Sequence, residues 1–116
     1  MSEHDHTVRL RHMLDHAREA VNAVSGKTRA DLGTERLLDL ALMHLITIIG
    51  EAANRVPKDI QDQHPEIEWP LIVGMRNRLI HGYDAINLDI LWQTVTEDLR
   101  PLIATLEKIV PPESET

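Results

Sequence analysis

The chain has no cysteine and no phenylalanine, and only one tyrosine and two tryptophans among its 116 residues. Without cysteine there is no disulfide, no thiolate metal ligand and no sulfur nucleophile, which fits a reducing cytosol. Without phenylalanine the core must be aliphatic, and Leu, Ile and Ala interspersed with charges favour helices over sheets. No apolar run approaches bilayer length, and the opening "MSEHDHTVRLRHML" is too polar for a signal peptide. An excess of positive charge is missing as well. Twelve Lys and Arg face 19 Asp and Glu, for a formal net charge of −7. A protein that grips nucleic acid with its whole surface should be basic, so any nucleic-acid chemistry must be local.

What remains is an ordinary globular share of apolar residues, 42%, in a chain long enough for one domain and too short for two. The spacing of Leu10, Leu14, Ala17, Val21 and Val24 predicts a first helix from a cap near Asp5 to Gly26. A second helix is expected from Thr34 to Pro57. Its stripe of Leu38, Leu42, Leu45, Ile49, Ala52 and Val56 is widened by Leu37, Ala41 and Ile48 to about half the helical wheel. So broad an arc suits a central position, a dimer interface, or both.

The segment "VPKDIQDQHPEIEWP" reads as a loop with one helical turn. A third helix is expected from Pro70 to near Gly82, and a fourth from Asn87 or Asp89 to the two prolines at 111, kinked at Pro101. The fold class is therefore all-α, a compact four-to-five-helix antiparallel bundle. It ends at residue 110, and residues 111–116 form a short acidic tail.

The stretch "MRNRLIHGYD", residues 75–84, is too polar for a simple bundle helix. On a helical wheel Arg76 falls between two apolar groups, one holding Leu71, Met75 and Leu79, the other Val73 and Ile80. Partial burial of Arg76 follows, and it requires a carboxylate or phosphate partner. Glu51, in line with His44 and Arg55 on the second helix, is the best internal candidate. Asn77 and His81 share the polar face beside Arg78. Arg76 and His81 stand five residues apart, about 140° on a straight helix, so convergence on one substrate is eased by a second copy across a two-fold axis.

Histidine can exchange a proton near neutral pH and arginine can stabilise a phosphorane-like transition state. Together they suit RNA cleavage by the 2′-hydroxyl, which needs no metal, no cofactor and no protein nucleophile. A histidine at a helix end also simply compensates the dipole. His4, His6, His12 and His16 raise the thought of a metal site, but solvent-exposed histidines are the reading preferred here. Trp69 and Trp92 read as core anchors rather than base-stacking platforms. His44, Glu51 and Arg55 read as a surface ion cluster.

"GMRNRLIHGY", with "IIGEAANRVP" and "HPEIEWPLIVGMRN" before it and "LDILWQTVTEDLRPL" after it, resembles the HEPN superfamily and within it the HepT-like toxins. The family motif, Arg, four residues, His, one residue, Tyr, falls here on Arg76, His81 and Tyr83, with the frequent polar neighbour as Asn77. The likeness spans roughly residues 34–108. It implies a single HEPN-like helical domain over residues 1–110, a homodimer with a composite cleft, and a metal-independent endoribonuclease acting on RNA. It further implies an MntA-like nucleotidyltransferase antitoxin as partner, which transfers AMP to Tyr83, and a cytoplasmic setting with no membrane. The alternative from another class is a non-catalytic helical adaptor that presents substrate to such a nucleotidyltransferase.

Overall fold

Aliphatic residues at helical spacing need a neighbour to cover them, and the chain supplies that neighbour mainly from itself. The computed structural model describes residues 3–80 and 85–112. Among these it has seven α-helical segments: α1 (Glu3–Ala23), α2 (Arg36–Asn54), α3 (Lys58–Gln63), α4 (Trp69–Val73), α5 (Met75–Leu79), α6 (Leu88–Gln93) and α7 (Leu99–Ile109). A 3-10 turn, Arg29–Asp31, precedes α2, and a π turn, Thr94–Asp98, joins α6 to α7. His81, Gly82, Tyr83 and the last four residues of the acidic tail lie outside the described residues.

α1 and α2 form an antiparallel hairpin, with α7 along the other flank of α1 and with α4 and α5 against α2. The molecule measures 43 × 33 × 20 Å, and its short dimension corresponds to two layers of helices about 10 Å across. α1 buries Leu10, Met13, Leu14, Ala17 and Ala20; α2 buries Leu42, Ile46, Ile49 and Ala53 between it and the opposite layer. Burying each large aliphatic side chain contributes about 1.5–3 kcal/mol, and this repeated term holds the layers together.

Several expectations need correction. The second helix starts at Arg36 rather than at Thr34. The Asp39 carboxylate accepts the Gly33 N–H at 2.9 Å, while Thr34 donates its hydroxyl back to Asp31 O at 3.0 Å. α2 is long and apolar enough to cross a membrane by length and composition, contrary to the reading of the sequence, and half of that window is buried in the fold. The third helix is two short ones. It breaks at Gly74, whose N–H reaches Pro70 O at 3.0 Å, and it stops at Leu79, before the expected Gly82. In the fourth, the disturbance expected at Pro101 is a π turn one helical turn earlier, where the Leu99 N–H bonds Thr94 O. The proline ring crowds the carbonyl four residues back, Glu97, and the wider turn absorbs that.

The cap at Asn87 is where it was expected, its Oδ1 accepting the Ile90 N–H at 3.1 Å. Trp69 anchors the core edge, 6% exposed, with its indole N–H shared by Gln61 O and His64 O at 3.1 Å each. Gln61 Nε2 in turn reaches Val56 O at 3.1 Å, so α3 straps the end of α2. Trp92 is half-buried and packs on the core from outside. The N-terminal histidines do not all lie in solvent. His12 is exposed, but His6 and His16 are half-buried, and His16 Nδ1 lies 2.7 Å from His12 O. No group of three potential ligands able to hold a metal ion occurs among the described residues.

Candidate active site

Gly50 brings the two halves of the site together. A Cβ there would lie 3.2 Å from Val73 O and 3.3 Å from Ile72 O, so only a glycine lets the α4 backbone rest on α2 at this distance. α5 therefore begins beside the C-terminal half of α2. Between them opens a pocket of about 130 Å³ lined by Thr47, Gly50, Glu51, Asn54, Val73, Arg76 and Asn77. Glu51, Arg76 and Asn77, three positions singled out from the sequence, thus meet at one opening.

The burial expected for Arg76 is not there. Met75 and Leu79 fill the core, four residues apart, and Arg76, Asn77 and Arg78 between them are all exposed. The second apolar group that was to enclose Arg76 is not buried either: Val73 is half-buried and Ile80 is 37% exposed. The break at Gly74 reset the helical phase. Nor do Glu51 and Arg76 form an ion pair among the described residues; both are exposed and face the same opening. The surface ion cluster expected of His44, Glu51 and Arg55 is likewise not formed among them, although all three side chains are exposed. On α5 it is Arg78 that meets a carboxylate, Asp98 of the π turn, at 3.7 Å.

The motif continues past α5 into a tied neck. Ile80 forms an antiparallel bridge with Ile86, and the Asn87 N–H donates to Leu79 O at 2.7 Å. These bonds fix where the segment carrying His81 and Tyr83 leaves and re-enters the described fold, a few residues from Arg76. Chemically, the pocket offers a guanidinium fork, an amide and a carboxylate to a ligand from solvent. A free guanidinium of that kind suits a phosphate.

A model of the family described as ribonuclease HepT-like matches residues 13–109. The chain belongs to the HepT-like ribonuclease family. It is 34% identical over 100 residues to a protein of Thermococcus cleftensis named "Probable ribonuclease HepT", covering 83% of this chain and 91% of that one. A protein of Caldanaerobacter subterraneus subsp. tengcongensis, named as a "Putative RNase", is 31% identical over 101 residues, covering 87% and 90%. A third relative, from Methanocaldococcus jannaschii, is named "Gamma-glutamylcyclotransferase and putative RNase"; 91% of this chain matches 48% of it at 29% identity. No solved structure matches.

Within this HepT-like chain the sequence missed the contribution of α1. Arg9 and His12 reach the same stretch of α2 from the other side, in a second pocket that also touches Glu51. Their i, i+3 spacing was a signal, but how α1 is rotated against α2 is a tertiary matter.

Proposed function

We propose that this HepT-like chain is a metal-independent endoribonuclease, the toxin of a toxin–antitoxin pair, working as a homodimer in the cytoplasm. The observation that carries the reading is the open pocket with Arg76 and Asn77 on its rim, a few residues before His81 in the chain. His81 takes the proton from a ribose 2′-hydroxyl. The 2′-oxygen attacks the adjacent phosphorus, the 5′-oxygen leaves and is protonated, and a 2′,3′-cyclic phosphate remains. Arg76 stabilises the charge gathering on the phosphoryl oxygens, and Asn77 orients them. Glu51 holds the guanidinium toward the opening through charge across the pocket.

The homodimer reading is supported by large apolar groups left in water on the first half of α2 and at the neck after α5: Leu37 is 82% exposed, Leu40 43% and Ile80 37%. Covering them with a second copy brings the neck of each motif close to its partner, which answers the angular divergence of Arg76 and His81. The protein partner is an MntA-like nucleotidyltransferase antitoxin. It joins the α-phosphorus of ATP to the Tyr83 phenol oxygen with release of pyrophosphate, and the added negative charge excludes RNA from the arginine and histidine. Residues 1–110 act as one helical domain with residues 111–116 as a tail.

The test is RNA integrity and growth on expression of the parent chain beside His81→Ala. Cleavage by the parent, retained in EDTA with cyclic phosphate ends and lost in His81→Ala, is the expected result. Activity that needs an added divalent ion would overturn the mechanism. Co-expression with the nucleotidyltransferase should raise the intact mass by whole AMP units, and Tyr83→Phe should abolish that rise.

A further inference from the structure

The pocket beside Arg76 has a wall that phosphate chemistry does not explain. Thr47, Glu51 and Asn54 follow one another by about a helical turn on one face of α2, across the opening from Arg76 and Asn77 of α5. The Thr47 hydroxyl is engaged within its own helix, donating to Met43 O at 2.8 Å. Glu51 and Asn54 are exposed, and neither side chain makes a hydrogen bond or ion pair among the described residues. Local structure accounts for neither. Asparagine often closes a helix by turning left-handed, but among the described residues only glycines have a positive φ. Gln61 closes α2 instead, its Nε2 reaching Ala53 O at 3.3 Å and Val56 O at 3.1 Å. Asn54 is thus a poor helix former with an idle carboxamide, held at the opening. Glu51 is harder still to explain, since a carboxylate there repels an RNA strand unless N–H groups face it.

About 130 Å³ is the room of roughly four waters at about 30 Å³ each, so the opening takes the edge of one base and not a whole nucleotide. We propose that Glu51 and Asn54 are a guanine reader, which selects the base of a nucleotide flanking the scissile phosphate. An ionised carboxylate only accepts hydrogen bonds and has two oxygens side by side, so it matches two neighbouring donors. Guanine alone among the RNA bases offers that pair, N1–H and the N2 amino group, on its Watson–Crick edge. The next group along the same edge is the O6 acceptor, and the Asn54 amide N–H donates to it. Adenine and cytosine each present one amino group beside an unprotonated ring nitrogen, which faces the second carboxylate oxygen without a hydrogen between them. Uracil presents one N–H between two carbonyls, and both carbonyls are repelled by the carboxylate. Arg76 and Asn77 on the opposite wall stay with the phosphate. The proposal rests on the ribonuclease reading, which supplies the strand.

The test uses the full chain and short unstructured RNA oligonucleotides that differ at one position, which holds guanine, inosine, adenine, cytosine or uracil. Cleavage is mapped on the RNA forms, and affinity is titrated on 2′-O-methyl forms, which lack the attacking hydroxyl. The parent should cut beside guanine, and bind the guanine form, about tenfold better than the adenine, cytosine and uracil forms, as a bidentate base contact does. Inosine, which lacks only the N2 amino group, should fall between. Glu51→Gln keeps the shape but has one acceptor oxygen, and should bring the guanine preference down to about twofold or less. Asn54→Ala should lower the preference in part, with a melting temperature that holds or rises, because alanine is the better helix former. Asn22→Ala on α1, away from the pocket, should keep the parent's preference. Cleavage with no preference for guanine, or a preference that survives Glu51→Gln, would overturn the reader and leave the ribonuclease reading intact. Equal losses on every oligonucleotide in Glu51→Gln would also overturn it, since the carboxylate would then serve Arg76 alone. Guanine-dependent binding that Glu51→Gln abolishes, in a parent that cuts nothing, would keep the reader and retire the ribonuclease reading. Neither cleavage nor guanine-dependent binding would retire both.

Discussion

The outer face of α2 changes character halfway along. Its first two turns leave Leu37, Leu40 and Ala41 in solvent, whereas its last turn and the cap after it present Glu51, Asn54 and Arg55. The inner face of the same helix does not change: Leu42, Ile46, Ile49 and Ala53 are buried throughout its length. Core packing therefore explains one side of the helix and leaves the other side free to differ. The apolar half suits a protein surface, and the polar half, with Arg55 at its end and Arg76 beside it, suits an anion.

The largest effect is expected where the polar half meets α5. Arg76→Ala should lower RNA cleavage about 10²–10³-fold, the usual cost of losing a group aimed at developing charge. Its melting temperature should stay that of the parent, because the side chain is exposed and has no carboxylate partner among the described residues. A clear fall in melting temperature would return Arg76 to a structural role and blur the division of the helix.

Next comes the apolar half. Leu37→Asp combined with Leu40→Asp should move the mass measured by light scattering from dimer to monomer at micromolar concentration. RNA cleavage should fall as the dimer dissociates, because the proposed cleft draws on both copies. Loss of RNA binding without a change of mass would break the comparison, since it would put substrate on the apolar half too.

The smallest of the three effects tests what keeps the polar half next to α5. Gly50→Ala puts a methyl group 3.2 Å from Val73 O, so α4 must move outward. Overpacking of this kind costs about 1–3 kcal/mol. Thermal melts should show a drop of several degrees, about 4–8 °C for each kcal/mol in a small domain, together with reduced cleavage. An unshifted melt with full cleavage would mean that the contact at Gly50 does not set the site.

What could be read from the sequence was what neighbours in the chain decide. The cap at Asn87, the stripe of α2 and the aliphatic core follow from spacing and side-chain chemistry. Glu51 was expected beside Arg76, and both line one pocket, but the ion pair expected of them is not formed among the described residues. The break at Gly74 did not announce itself. Leu71, Met75 and Leu79 keep helical spacing across it, and an internal glycine costs a helix only about 1 kcal/mol. Once the phase is lost there, a wheel drawn through the break puts Arg76 in the core, where it is not. Pro101 signalled a disturbance in the last helix but not a π turn, because the choice between kink and bulge depends on what the helix packs against. The basic contribution of α1 was hidden for the same reason: two helices joined by a turn can meet at many rotations.

Trp69 gives this chain an optical handle. Its indole is buried against the core edge and its N–H is divided between two carbonyls at the end of α3 and just past it. With no phenylalanine, one tyrosine and one other tryptophan, the near-ultraviolet signal comes almost entirely from two indoles in unlike surroundings. Replacing Trp92 leaves a single indole, at the start of α4 and hydrogen-bonded to the strap over the end of α2. Its colour then reports whether that strap is closed, and so whether the polar half of α2 is being held in place, without any label on the protein.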